Sequence, residues 1–68
     1  MTNRELLEEK IKQKGLKKGF IAEAIGVSRS TFCALLGGKS EFKASQIRVL
    51  CELLDINDDE TVKAIFFA

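Results

Sequence analysis

The sequence predicts an all-α domain of five short helices. Three observations carry this. Apolar residues recur at three- and four-residue spacing in each segment between the glycines at 15, 19, 26, 37 and 38, and no segment sustains strand alternation. Capping residues stand at the segment boundaries, and no proline interrupts a helix. The chain has 68 residues, enough for one domain, 1–68, and no more. A domain of that size buries only about 60% of the surface its unfolded chain exposes.

Helix 1 is predicted over about 3–14. Thr2 and Glu5 open it as a T-x-x-E capping box, which satisfies two backbone donors reciprocally. Leu7 and Ile11 share a face, with Leu6 beside them, and Gly15 ends the helix with a left-handed cap. Helix 2 runs over about 18–25, with Ile21, Ala22 and Ile25 inward. Gly26 then makes a sharp turn that needs positive φ. Ser28 caps helix 3, which runs over about 29–36 and buries Phe32, Leu35 and Leu36. In the polar loop GGKSEFK, Phe42 tucks into the core. Helix 4, about 44–54, carries Ile47, Leu50, Cys51 and Leu54 on one stripe. Asn57 caps helix 5, with Glu60 at the capping-box position, and the helix ends in AIFFA.

Composition excludes several classes. Cys33 and Cys51 are two thiols without a signal peptide, so they are not a disulfide framework. With no His and no CxxC spacing, neither a structural zinc site nor any other cofactor is expected. No apolar run reaches the roughly 18 residues that span a bilayer, so no membrane role is expected and a reduced, cytoplasmic location is. An enzyme is not expected either. There is no His, no Tyr and no nucleophile–base pair, and a small all-helical chain has little room for a small-molecule pocket.

Net charge is only +1, but it is unevenly spread. The segment 9–48 sets nine Lys and Arg against Glu9, Glu23 and Glu41. The segment 49–68 sets Lys63 alone against Glu52, Asp55, Asp58, Asp59 and Glu60. A basic middle beside an acidic end suggests one-sided contact with a polyanion.

The stretch from Lys18 to Gly37 is the most specific part of the chain. Ala22 is small where two helices must approach. Gly26 makes the turn, Val27 plugs the space beneath it, and Phe32 and Leu35 pack helix 3 back onto helix 2. Two helices crossing at about 90–120° require this arrangement. The window resembles the helix-turn-helix of the lambda-repressor and Cro-like family of phage and bacterial regulators. The resemblance extends over essentially the whole chain. The opening ELLEEKIKQKGLKKGFIAEAIGVSRST and the ending KAIFF are similar to short Cro-like proteins of temperate phages and prophages of Gram-positive bacteria.

The resemblance implies a compact lambda-repressor-like DNA-binding domain, with the helix-turn-helix at about 18–37. It implies a transcriptional repressor that occludes a promoter, working as a homodimer on a double-stranded operator. Helix 3 would lie in the major groove. Its base-facing positions would be Ser28, Arg29, Ser30 and, one turn on, Ala34. Arg29 could pair bidentately with guanine, whereas Ser30 specifies weakly. Family members carry Ser and Ala at the positions of Ser30 and Ala34, and a methyl group can favour thymine. Thr31 would face phosphate or bond back to its own helix. Cys33 lies beside the reading face as an unremarkable small side chain. Phosphate contacts would come from Lys17 and Lys18, and from Lys39, Ser40 and Lys43. The family often has Ser or Thr just before helix 2. This chain has Lys17 there, which weakens the cap but places two ammonium groups at a helix N-terminus.

Lys10, Lys12 and Lys14 are read as surface. Phe20 and Phe42 are read as core or core rim, and Cys51 as a small buried hydrophobe. Ile65, Phe66 and Phe67 are adjacent, so at least one is exposed in a monomer. They form either a frayed apolar terminus or half of a dimer contact. A protein-binding antirepressor, or an antitoxin, built on the same fold is the alternative to a repressor. The unneeded cations at both phosphate-contact regions count against it.

Overall fold

A computed structural model describes the whole chain, Met1–Ala68, as five helices and no strand. They are α1 (Arg4–Lys14), α2 (Lys18–Ala24), α3 (Arg29–Leu36), α4 (Ala44–Leu53) and α5 (Asp59–Phe66). The radius of gyration, 10.6 Å, is close to the roughly 11 Å of a compact chain of this length. No single helix is long and apolar enough to cross a membrane.

Four of the five helices stop in the same way. A residue with positive φ follows the last turn: Gly15, Gly26, Gly38 and, after α4, Asp55 at φ 54°. The next residue's N–H then reaches back to a carbonyl five positions earlier. The pairs are Leu16 to Ile11, Val27 to Ala22, Lys39 to Ala34 and Ile56 to Cys51. This satisfies carbonyls that would otherwise be orphaned. Gly26 is the position where the freedom matters most, because the turn there swings α3 to 99° from α2. After α4 the same geometry falls to Asp55, a residue that tolerates it better than most, and its carboxylate pairs with Lys14.

The core draws on every helix. Leu7, Ile21, Phe32, Leu36, Leu50, Ile65 and Phe66 are its most buried large side chains, and no polar side chain is buried with them. Three phenylalanines knit the distant parts together edge to face. Phe32 and Phe42 have ring centres 6.3 Å apart, and Phe42 and Phe66 5.6 Å apart. Ile56, between α4 and α5, is also buried, because it follows the Asp55 turn into the core. Cys51 packs against the core half-buried, and burial pushes its thiol up.

Four expectations are corrected. Asn3, not Thr2, caps α1: its Oδ1 accepts from Leu6 N–H at 3.1 Å. Asn is as good a cap as Thr, so the helix starts one residue later. Likewise Asp58, not Asn57, caps α5, accepting from the backbone N–H and the hydroxyl of Thr61 at 2.9 and 2.6 Å. Those bonds hold the Asp58 carboxyl below its ordinary range. Phe20 is 54% exposed rather than core. It lies about 200° around the helix from Ala22, so the face that buries Ile21 and Ala22 excludes it. At the other end, Ile65 and Phe66 are both buried, leaving Phe67 alone exposed, at 62%. An apolar stripe wider than about 100° accommodates two adjacent residues but not a third. Ile65 and Phe66 are therefore core, and of the three residues read as a dimer contact only Phe67 is exposed.

Candidate nucleic-acid interface

Helix α3 is divided cleanly between two sides. Phe32, Leu35 and Leu36 are buried, and the opposite side faces solvent. Its start is set by Ser28, whose Oγ accepts from Thr31 N–H at 3.1 Å and donates to Thr31 Oγ1 at 2.9 Å. Both hydroxyls are thus engaged in the cap. The Thr31 hydroxyl is exposed and accepts from the capping Ser28.

The solvent side of α3 forms the floor of a concavity lined by Arg29, Ser30, Cys33 and Ala34. Gly37 and Lys39 close one end, and Arg4 enters from α1. A second concavity adjoins it, lined by Lys17, Lys18, Gly19 and Phe20. Arg29 belongs to both. The structure therefore brings together Lys17, Lys18, Arg29, Ser30, Cys33, Ala34 and Lys39 from the sequence-predicted set. Ser40 and Lys43 are exposed but line neither hollow. Lys43 instead stands at the start of α4, where its N–H donates to Gln46 Oε1 at 2.9 Å.

Electrostatics distinguish the cations further. Lys17, Arg29, Lys39 and Lys43 make no ion pair, so their charge is free for a partner. Lys18 does make one, at 2.7 Å from Glu8 Oε1. Glu8 Oε2 in turn accepts from Arg4 Nε at 2.9 Å. The hydrogen bond from Lys18, then that from Arg4, holds the Glu8 carboxyl below the usual range.

Arg29 opens α3 at the positive end of the helix dipole, where a cation is unfavourable. Arg4 does the same for α1 and is 59% exposed. Sequence reading missed Arg4 as a site residue, although this shared conflict was the available signal. Nothing local indicated that α1 would deliver it to the end of α3. Phe20 was assigned inward and so was missed too. A further signal is Lys39. The residue after the positive-φ cap is apolar at three of the four helix ends (Leu16, Val27, Ile56) and packs inward. After α3 the corresponding residue is a lysine on the open concavity.

Comparison with protein-family models, with curated proteins and with solved structures finds no match for this chain. Chemically, the arrangement offers a shallow strip of hydroxyl, thiol and methyl groups bordered by positive charge. That combination suits a surface which must touch both anionic and neutral groups of one partner.

Proposed function

We propose that this chain is a small sequence-specific repressor of Cro type that binds double-stranded DNA. In this reading α2 and α3 are a lambda-repressor-like helix-turn-helix and α3 enters the major groove. The observation that carries it is the two-sidedness of α3. Its inner side is closed into the core, while Arg29, Ser30, Ala34 and Lys39 share the outer concavity with Arg4. The 99° angle between α2 and α3 lies within the range such motifs use, about 90–120°. Arg29 reads guanine, Ala34 leaves room for a thymine methyl group, and Lys17 and Lys39 meet phosphate. The protein acts in the bacterial cytoplasm, on the nucleoid, and is encoded by a phage or prophage. It needs neither cofactor nor small ligand.

Two-fold operators call for two copies. Phe67, exposed beside Val62 and flanked by Asp59 and Lys63, is the surface we assign to that contact. Its acid and base can pair with the base and acid of a second copy. Sedimentation of Phe67→Ser beside wild type checks this, and identical monomers would refute it.

The functional test is a gel shift against the DNA upstream of the protein's own gene at two salt concentrations. A specific shift that weakens with salt is expected. No specific shift, or indifference to salt, overturns the reading in favour of a protein-binding antirepressor or antitoxin. Arg29→Ala should relax preference at one base pair by about 1–3 kcal/mol, whereas Lys39→Ala should weaken all sequences alike.

A further inference from the structure

Glu8 lies in a hollow of mixed charge with Glu5, Glu9, Lys12 and Lys18, at the edge of the cationic surface. Its two oxygens serve two helices, binding Arg4 on α1 and Lys18 on α2. Arg4 lines the concavity over α3, and Lys18 lines the adjoining one. A single carboxylate, itself outside both hollows, thus binds one cation from each, and the two hollows meet at Arg29.

Local stability does not explain this acid. Within α1 the Arg precedes the Glu by four residues, the weaker orientation for a helical pair. The pair with Lys18 is about one-third exposed on both sides, where ion pairs contribute little. Arg4, however, gains direction. Its Nε is committed to Glu8, and Nη1 lies over Gly37, about 4.0 Å from where a β-carbon there would stand. Neither terminal nitrogen has a protein acceptor, so the outer edge of the guanidinium is presented over the end of α3. A planar fork held this way can meet one oxygen group well and a misplaced one poorly.

We infer that Glu8 is a positioning residue of the DNA-facing surface, which restrains Arg4 and Lys18 from indiscriminate phosphate binding and so exchanges affinity for discrimination. This rests on the DNA-binding reading above. Binding to random sequence comes almost entirely from phosphate neutralisation. A carboxylate that occupies two cations lowers that term. In the cognate complex Arg4 keeps the Glu8-directed orientation on its own oxygen group, so releasing it gains nothing there, whereas random duplex gains each freed cation.

The test compares wild type with Glu8→Gln on two duplexes, one of random sequence and one enriched by wild type from a randomised library. Glu8→Gln should bind random duplex about eightfold tighter at 0.1 M salt for each additional phosphate that it neutralises. The log–log salt slope should steepen by about 0.9 per phosphate. The preference for enriched over random duplex should shrink by a similar factor. Thermal unfolding of the same samples separates this from a tether between α1 and α2. An unchanged slope and preference, or weaker binding to random duplex, overturns the inference whatever the stability does. A wild-type protein that binds and enriches duplex beside an indistinguishable Glu8→Gln overturns this inference alone. A wild type that binds no duplex overturns both it and the repressor reading.

Discussion

The start of α5 and the starts of α2 to α4 obey opposite electrostatic rules. Helix α5 opens on Asp58, Asp59 and Glu60 and carries Lys63 in its last turn, as the helix dipole favours. Helices α2, α3 and α4 open on cations, Lys17 with Lys18, Arg29 and Lys43, with no acid in the first turn, while α1 opens on Arg4 but follows it with Glu5 and ends on Lys12 and Lys14. At α2 no side chain caps the backbone, and at α4 the bond comes from Gln46 rather than from the residue before the helix. The difference teaches where the chain is arranged for stability and where it is not. Around α5, local rules and packing agree. Around α2 and α3 they conflict, and the conflicting charges are the ones that meet at the concavities. Such conflicts mark function when they cluster.

Breaking the α5 side should produce the largest effect. Phe66→Ala removes the ring that closes the Phe32–Phe42–Phe66 stack and should cost about 3–5 kcal/mol. For so small a domain that is most of the stability, so urea unfolding should find the variant largely unfolded near neutral pH. A well-folded Phe66→Ala would return Phe66 to the surface.

A smaller effect belongs to Asn3→Ala. The lost cap should cost about 1 kcal/mol, or roughly 4–8 °C in the melting midpoint. Asn3 lies away from both concavities and its N–H bonds the Ile65 carbonyl, on the α1–α5 side. Duplex affinity should therefore be unchanged when measured below the transition. A parallel loss of binding would show that the two regions are not separable.

Acid should expose the gentlest contrast. Glu8 and Asp58 both have carboxyls held below their unfolded values, so each contributes stability above the ordinary carboxylate range. That contribution is lost as pH falls through about 4 and below. The melting midpoint should hold from neutral pH to about 5 and then decline, and Asp58→Asn should flatten part of that decline. A midpoint that rises on acidification would contradict both assignments.

Much of this was legible in the sequence, for physical reasons. The span of α3, the Gly26 turn and the Ser28 cap all follow from local sterics and hydrogen bonding within a few residues. The outward placement of Arg29 follows from helical geometry, because the apolar side of α3 leaves it nowhere else to point. What was illegible depends on packing between distant segments. Arg4 joins the site only because α1 crosses the end of α3. Lys18 is paired only because Glu8 comes to meet it. Phe66 is core only because Phe42 reaches it from the loop before α4. The shifts from Thr2 to Asn3 and from Asn57 to Asp58 are of another kind. Two adjacent residues could each cap, and the one-residue choice lies below what spacing resolves.

The measurement that tests the central claim most directly is Arg29→Glu, with stability and duplex binding determined on the same sample. An acid at the first position of α3 suits the helix dipole, so unfolding should be harder by about 0.5 kcal/mol. The same change sets a negative charge where both concavities meet, so binding to duplex should be abolished. Stability and binding should move in opposite directions. If binding survives, or if both fall together, Arg29 is an ordinary surface residue and the account is wrong.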